Sequence, residues 1–395
     1  MREAVIVAGT RTAVGKAVRG STKNVRSEDM AATVIQELMR QVEGKFDPKE
    51  IDDVIIGCAM TEGSQGMNFG RIITLRAGLP VEVPSQTVNR FCSSGLQTIA
   101  IAAERIIADG ADIIIAGGAE TMSLVPMTGH HLSPNPWLAE NLPAAYMGMG
   151  HTAEHVADEW NISREDMDIF AYNSHQKAAR AQDAGKFADE IIPFEWEETI
   201  IGEDGAPTTV KMRLDKDEHL RRETTVEGLG ALKPSFRGKG GRVTPGNSSP
   251  LSDGAAGVII MEAKKAQELG LTPIARFVGF SVAGVRPEIM GVGPIAAIPK
   301  LLKRTGIHQD DIDLFELNEA FSAQSLAVIR ELGLNPDKLN VNGGAIALGH
   351  PLGCTGAKLT VQLMNEMSRR KSKYGMVTMC IGGGMGAAGI FENLN

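Results

Sequence analysis

Apolar and polar residues follow one another along the chain in blocks that predict alternating strands and helices. Short runs rich in isoleucine, valine and alanine have the length of buried strands, at 4–9, 51–57, 111–119, 312–318 and 376–379. After Cys92 the apolar residues instead recur at helical spacing, at Leu96, Ile99, Ala100, Ala103 and Ile107. This alternation predicts an α/β fold with mostly parallel sheets that helices cover on both faces.

The order of these blocks occurs twice. In the first half, the run at 51–57 precedes 87–89, which leads into a turn, a helix and a strand that ends in glycines. In the second half, 312–318 precedes 340–342, a glycine-rich turn, a helix and a last glycine-terminated strand. Two equivalent halves predict a duplicated fold, and sites in such folds lie beyond the carboxyl ends of strands. We therefore expect one shared cleft for the residues that follow these strands, Cys92, Asn318, His350 and Cys380.

The segment 122–247 breaks this rhythm. It contains proline-rich stretches, a polar helical pattern at 152–183 and a basic, glycine-rich stretch at 233–242. We predict that it is an insertion lying over the cleft, so that the domains are an N-terminal half (1–121 plus 248–273), a loop domain (122–247) and a C-terminal half (274–395). Its basic residues are either solvated loop side chains or phosphate contacts: Arg221, Arg222, Lys233, Arg237, Lys239 and Arg242.

Composition and charge argue against several functional classes. The net charge is −8, aromatic residues make up 5% of the chain, and no long basic stripe occurs, which disfavours nucleic-acid binding. No apolar run reaches 18 residues and no signal segment opens the chain, so we expect a cytoplasmic protein without a membrane span. None of the four cysteines belongs to a C-x-x-C pair, which gives a zinc site little support, and in a reducing cytosol we expect all four to be free thiols.

Cys92 lies where a predicted strand turns into a predicted helix. Unpaired N–H groups and the helix dipole favour an anion at such a position. They can lower the pKa of a thiol and make it a nucleophile at neutral pH. Taken alone, Cys92 is better explained as a small buried apolar residue.

Two glycine-rich segments add candidate chemistry. His350 lies within 343–356, where several glycines permit close approach of the chain or a ligand. Cys380 ends a strand-like run and is followed by glycines at 382–384, which suggests exposed N–H donors of the kind an oxyanion hole needs. Considered singly, His350 is also explained as a hydrogen-bonded loop histidine and Cys380 as a core thiol.

Together, these segments resemble the signature motifs of the thiolase family. The matching motifs are 89–97 around Cys92, 318–322, 343–356 and 380–386, with 117–123 and 246–249 as further matches. They occur in the family's order and span the chain essentially end to end. The resemblance implies the α/β thiolase fold, in which duplicated βαβαβ halves form a five-layered α-β-α-β-α arrangement with an inserted loop domain.

The resemblance also implies roles for the catalytic residues. Cys92 would attack the 3-keto carbon of a 3-ketoacyl-CoA and form an acyl-enzyme, while His350 would help to ionise Cys92 and donate to the thioester oxygen. Cys380 would protonate the departing acetyl-CoA carbanion and then deprotonate the incoming CoA. Asn318 would hold a water in one oxyanion hole, and the backbone N–H groups of Cys92 and Gly382 would form the other.

Further positions match residues around the substrate in the family. Glu319 would support His350 or Asn318 from behind. The residues expected to contact substrate are Ser249, Arg221, Met290, Phe321 and Met147. Coenzyme A would be a co-substrate, no metal or permanently bound cofactor is implied, and the family resemblance implies a homodimer or homotetramer.

Within the family, the chain most resembles the degradative 3-ketoacyl-CoA thiolases of fatty acid β-oxidation, on the motifs at 92–94 and 119–122. The alternative is a biosynthetic acetoacetyl-CoA thiolase, whose covering loop typically has a histidine where Tyr146 stands. A ketoacyl synthase would need histidine or asparagine in place of Cys380. A non-catalytic acyl-CoA binder would be expected to lack at least one of the four catalytic residues.

Overall fold

The computed structural model describes residues 2–201 and 205–395, and it contains strands and helices at the positions that the sequence pattern predicts. The strands are β1 (Ala4–Thr12), β2 (Gly15–Lys16), β3 (Asp53–Gly57), β4 (Ser85–Val88), β5 (Ile113–Thr121), β6 (Ile191–Ile192), β7 (Phe194–Ile201), β8 (Pro207–Leu214), β9 (Ser252–Glu262), β10 (Ala275–Gly284), β11 (Ile312–Leu317), β12 (Tyr374–Ile381) and β13 (Met385–Asn393). The helices are α1 (Ser27–Gln41), α2 (Phe69–Arg76), α3 (Ser94–Glu104), α4 (Pro136–Asn141), α5 (Met149–Glu159), α6 (Arg164–Asp183), α7 (Val226–Gly230), α8 (Ala263–Glu268), α9 (Gly293–Thr305), α10 (Ser322–Leu332), α11 (Ala345–Leu348) and α12 (Leu352–Arg370).

The duplication predicted from the sequence is confirmed by the strand order. The main sheet runs β11-β12-β13-β10-β1-β9-β5-β3-β4. Read outward from its centre, β1-β9-β5-β3 in the first half mirrors β10-β13-β12-β11 in the second. The two halves join where β1 and β10 pair antiparallel through Val5 with Arg276 and Ile6 with Ala275.

The five layers form around two central helices. α3 and α12 pack against each other, and α12 contacts strands of both halves, while α1 and α9 cover the outer faces. The central helices approach closely at glycines: a Cβ on Gly356 would lie 2.1 Å from the backbone nitrogen of Leu96. Both central helices have sheet on either side, and nearly all of α3 is therefore buried. The apolar spacing seen in the sequence belongs to a helix that is enclosed in the core.

The expectation of mostly parallel strands is wrong, because the sheet is mixed. β3 pairs in parallel with β4 and β5, and β11 with β12, but β9, β10 and β13 run antiparallel to their neighbours. The insertion leaves at the end of β5 and returns at the same edge, so β9 must run back along β5. β12 and β13 are joined by 382–384, which is too short for the crossover that a parallel pair requires.

The segment between β5 and β9 is fixed to the sheet by a buried ion-pair cluster. The guanidinium of Arg11 on β1 lies 2.8 Å from a carboxylate oxygen of Glu190 and 2.8 Å from one of Asp217. All three side chains are fully buried, so each needs the others to offset the cost of its desolvation. This contact anchors the segment that passes over the candidate cleft, whereas the three-domain division of the chain stays a prediction.

Within 2–201 and 205–395, no helix has the length and apolar character needed to cross a bilayer.

Candidate active site

Cys92 sits in a tight turn between β4 and α3. Phe91, the residue before it, has a positive φ of 43°, which is uncommon for a residue other than glycine and typical of functional turns. The sulfur of Cys92 accepts hydrogen bonds from its own N–H and from the N–H of Gly382. These are the two donors expected to form an oxyanion hole, and the structure brings both to the sulfur.

The protonation state of Cys92 differs from the sequence-based expectation. Burial raises the pKa of the thiol, the two N–H donors only partly oppose this effect, and the charge of Glu120 adds a smaller rise, so that the pKa is about 11. Cys92 lies in the 3₁₀ turn before α3 and is 1% exposed, so loss of hydration outweighs the helix terminus. Because Cys92 is a thiol at neutral pH, it requires a base before it can attack.

His350 is the candidate for that base. It follows the short helix α11 and Gly349, whose φ is 90°. Burial, with a smaller effect of the charge of Lys358, lowers the pKa of His350 to about 3, so the imidazole is neutral at physiological pH. Its Nδ1 lies 2.6 Å from Thr355 Oγ1, and its Nε2 lies 3.3 Å from Asn318 Nδ2.

Asn318 follows directly after β11 and faces the same histidine. Its backbone N–H donates to the carbonyl oxygen of Thr378 on β12 at 2.9 Å, which fixes the end of β11. Its side-chain Oδ1 is buried and has no hydrogen-bond partner among the described residues. A buried acceptor of this kind normally binds a water or ligand, which agrees with the predicted role of Asn318 in an oxyanion hole.

Cys380 is the penultimate residue of β12, next to the turn that carries Gly382. Burial raises the pKa of Cys380 well above the usual value, and the charge of an ionised Cys92 would raise it further. The turn from β12 to β13 contains Gly384, whose φ is 90°, and a Cβ there would lie 2.4 Å from the carbonyl oxygen of Val285. Glycine is therefore required for the turn that delivers the Gly382 N–H to Cys92.

Two details of the predicted cleft are corrected. Cys380 is the penultimate residue of β12 and does not follow the strand, and His350 follows a helix where a strand was expected. The residues still converge, because the turn after β12 and the loop before α12 reach the same edge of the sheet as the end of β11.

A cavity of about 580 Å³ opens beside these residues. His350 lines it together with Ser249, Arg221 and Phe321, three of the residues expected to contact substrate. Further lining residues are mostly apolar: Met122, Met127, Met149, Phe236, Leu251, Ala320 and Leu352. Cys92 belongs to an apolar cluster with Met122 and Leu352, and Cys380 to one with Ala320 and Phe321, so each thiol lies next to side chains that line this cavity.

The other two residues expected to contact substrate lie elsewhere. Met290 is buried behind the cavity, where it packs against Cys380 and Phe321. Met147 is half-buried and is absent from the lining, which in this part of the chain consists of 148–151.

Two family models match this architecture. The model described as "Thiolase, N-terminal domain" matches residues 4–264, and the one described as "Thiolase, C-terminal domain" matches residues 271–393. The chain belongs to the thiolase family.

Full-length relatives agree with this assignment. A protein of Bacillus subtilis named 3-ketoacyl-CoA thiolase is 56% identical over 392 residues, which cover 99% of this chain and 100% of the relative. A protein of Chromobacterium violaceum named acetyl-CoA acetyltransferase is 44% identical and 98% of each chain is covered. The crystal structure of the Bacillus anthracis acetyl-CoA acetyltransferase superposes with a TM-score of 0.89 at 41% identity, covering 100% of this chain and 99% of that one.

In this thiolase-family chain, the sequence had suggested that Glu319 supports His350 or Asn318. Glu319 makes no hydrogen bond to His350 or to the side chain of Asn318. Its buried carboxylate accepts hydrogen bonds from Ser174 Oγ at 2.6 Å, Asn340 Nδ2 at 2.8 Å and the backbone N–H of Ile346 at 3.3 Å. Glu319 therefore ties α6 to the loop that leads into α11. It supports the shape of the thiolase site through the backbone.

Several residues that hold the thiolase site were missed. Glu120 is buried and accepts from the N–H groups of Ala59, Met60 and Gly353, so it joins the start of α12 to the loop after β3. The signal was available in the sequence, because a glutamate at the end of a buried strand requires partners. Thr355 contacts His350 Nδ1, and nothing in the sequence distinguishes it from other helix threonines.

The basic residues of the loop segment separate into two groups. Arg222 pairs with Asp183, and Arg237 and Arg242 share Asp158, so each of these guanidinium groups is engaged by a carboxylate within the protein. Arg221 lines the cavity, and its guanidinium makes no ion pair within the part of the chain that the structure describes. Lys233 and Lys239 are exposed.

Proposed function

We propose that this protein is an acyltransferase, a 3-ketoacyl-CoA thiolase, which cleaves a 3-ketoacyl-CoA with CoA into acetyl-CoA and an acyl-CoA shortened by two carbons. The observation that carries the proposal is the pairing of two buried thiols with a neutral imidazole beside an apolar cavity. Carbon–carbon cleavage needs a covalent acceptor for the acyl group, an acid for the carbanion and donors for two oxyanions. The name of the B. subtilis relative supports the same reaction.

In the first half-reaction, His350 Nε2 takes the proton of Cys92 and the sulfur attacks the 3-keto carbon. The bond between C2 and C3 breaks, and its electron pair stays with C2 of the departing acetyl-CoA. Cys380 donates its proton to that carbon. The products are an acyl thioester on Cys92, a thiolate on Cys380, an imidazolium at His350 and free acetyl-CoA.

In the second half-reaction, the Cys380 thiolate takes the proton of the incoming CoA thiol. The CoA sulfur attacks the acyl thioester on Cys92, and the Cys92 sulfur departs and recovers its proton from His350. All three side chains return to their starting states. Since both thiols begin and end protonated, the raised pKa of each is compatible with the cycle.

Two sets of donors stabilise the oxygen anions. The N–H groups of Cys92 and Gly382, which already point at the sulfur, would bind the oxygen on the carbon that Cys92 attacks. His350 and a water held by the free Oδ1 of Asn318 would bind the thioester oxygen of the acetyl-CoA enolate. Coenzyme A is the co-substrate in this scheme, and none of its steps uses a permanently bound cofactor.

The cavity supports a substrate with an apolar acyl part and an anionic carrier. Methionine side chains are flexible and adapt to chains of different shape, and Met122 and Met127 lie at the end of the cavity next to Cys92. Arg221 supplies a cation near Ser249, where phosphate groups of CoA would pass.

Replacement of Arg221 by glutamine is expected to raise KM for CoA about tenfold with a smaller effect on kcat, because the residue would hold the carrier away from the reacting atoms. Steady-state kinetics with varied CoA measure both constants. Arg222→Gln is the matched control, because the guanidinium of Arg222 is already hydrogen-bonded to Asp183 and Gln182. Equal KM values for wild type and Arg221→Gln would remove Arg221 from the phosphate site.

The proposed function is tested by CoA-dependent thiolysis of 3-ketoacyl-CoA substrates from acetoacetyl to long chains. We expect higher kcat/KM on medium and long chains than on acetoacetyl-CoA, because the cavity beside Cys92 is apolar. Activity confined to acetoacetyl-CoA would instead identify a biosynthetic thiolase, and CoA binding without turnover would identify a non-catalytic binder.

A homodimer or homotetramer is the proposed assembly, on the strength of the family resemblance. Sedimentation equilibrium of the full chain measures it, and a monomer at micromolar concentration would contradict it.

A further inference from the structure

The ring of His350 is held at its second nitrogen by Thr355. The hydroxyl oxygen of Thr355 lies 2.6 Å from His350 Nδ1, and both side chains are buried. The same hydroxyl donates to the carbonyl oxygen of Pro351 at 2.9 Å. A hydroxyl has a single hydrogen, so when that hydrogen is on the bond to Pro351 the oxygen is an acceptor for Nδ1, which then carries a proton.

Asn318 independently requires the same tautomer. With the amide in this orientation its nitrogen, a donor, lies 3.3 Å from His350 Nε2, which then presents a lone pair. The backbone of His350 is fixed as well, because its N–H donates to Ser252 Oγ at 3.0 Å. The ring can therefore neither turn over nor exchange its tautomer without losing a hydrogen bond.

We propose that Thr355 is a positioning residue that keeps the proton of His350 on Nδ1 and so makes Nε2 the base for Cys92. The inference rests on the proposed thiolase chemistry. When Nε2 takes the Cys92 proton, the imidazolium has two donors: Nδ1–H continues to donate to Thr355, and Nε2–H is free for the thioester oxygen. Without the hydroxyl, Nδ1–H would be a buried donor with no acceptor, and the tautomer with the proton on Nε2, which cannot act as a base towards Cys92, would be favoured.

The titratable groups around His350 offer no substitute for this hydroxyl. Lys358, further along α12, disfavours the imidazolium by its charge. Cys92 and Cys380 belong to apolar clusters whose members Leu352 and Phe321 line the same cavity as His350. His219 reaches His350 only through Ser252, whose Oγ lies 3.0 Å from His219 Nε2 and binds the backbone N–H. Thr355 is thus the hydrogen-bond partner of Nδ1 in the described part of the chain.

Thr355→Val and Thr355→Ser test the proposal. We expect kcat for thiolysis to fall about tenfold to a hundredfold in Thr355→Val, with KM little changed, because a general base is lost. Thr355→Ser, which keeps the hydroxyl, should recover most of the rate. The pH profile should also change: acylation of Cys92 in Thr355→Val should keep rising with pH towards the high pKa of the thiol, since ionisation is no longer assisted.

Thr360→Val is the matched control. Thr360 lies on the same helix, is fully buried and donates to the carbonyl oxygen of Gly356 at 2.8 Å, the same local bond that Thr355 makes to Pro351. It should retain wild-type kinetics and the wild-type pH profile, and equal melting temperatures would show that both valine variants fold alike. If Thr355→Val does not fold, Thr355→Ala provides the same comparison.

Three results would overturn the role of Thr355: a wild-type rate and pH profile in Thr355→Val, failure of Thr355→Ser to recover activity, or an equal loss in Thr360→Val. A second readout separates this inference from the proposed function. Alkylation of Cys92 by iodoacetamide needs the same base but no acyl-CoA, so its pH profile tests Thr355 even if wild type shows no thiolysis. Loss of thiolysis in wild type would refute the function, and an unshifted alkylation profile in Thr355→Val would refute the positioning role.

Discussion

Cys92→Ala is expected to lose the acyl-enzyme completely and to lower the rate of thiolysis by at least about 10⁴-fold, as removal of a nucleophile does in other covalent catalysts. The sulfur of Cys92 becomes the sulfur of the acyl thioester. It is the thiol that receives the N–H groups of Cys92 and Gly382, and neither Cys380 nor another thiol can take its place there. Intact-protein mass spectrometry after incubation with acetyl-CoA would show the acyl adduct on wild type and none on the variant. The kinetic assay measures the fall in rate.

Cys354→Ala is the control for this experiment. Cys354 is also a buried thiol, but it lies in the main core among apolar side chains and does not line the cavity. It should form the adduct normally, with at most a modest loss of stability from the cavity that the smaller side chain leaves. A stable acyl adduct on Cys92→Ala would contradict the assignment of Cys92 as the nucleophile.

Cys380→Ser is expected to lower thiolysis by about 10³-fold while Cys92 still becomes acylated by acetyl-CoA. Serine keeps the size and a hydrogen-bonding group, but its hydroxyl is a far weaker acid than a thiol. Both proton transfers proposed for Cys380, to the departing carbanion and from the incoming CoA, would therefore be slow. In acylation by acetyl-CoA, Cys380 only protonates the departing CoA thiolate, which is a good leaving group, so this step should be slowed but should survive.

Exchange of the methyl protons of acetyl-CoA with deuterium gives a separate measure of Cys380. Wild type should catalyse the exchange, and Cys380→Ser should not, because this proton transfer is the reverse of carbanion protonation. Cys92→Ala provides the comparison for the acyl adduct, because it should lose the adduct that Cys380→Ser keeps. Near-normal thiolysis or exchange by Cys380→Ser would contradict the acid–base role.

Much of the fold was predictable from local patterns. The runs at 51–57, 111–119 and 312–318 are the strands β3, β5 and β11, and the spacing after Cys92 is the helix α3. The mixed direction of the sheet was not predictable in the same way. A run of buried apolar residues looks alike in either direction, and the direction of β9 and β13 depends on where the connecting segments return.

The sequence by itself determined the candidates for the chemistry, Cys92, His350 and Cys380, because they stand in turn and glycine contexts that few other functions require. The tertiary structure alone decided their electrostatic state. Burial raises the pKa of Cys92 to about 11 and lowers that of His350 to about 3, which replaces the expected thiolate by a neutral thiol and a neutral base. It also decided which side chains orient them, such as Thr355 at Nδ1. Desolvation and hydrogen-bond partners arise from packing between distant segments, and no local pattern contains that information.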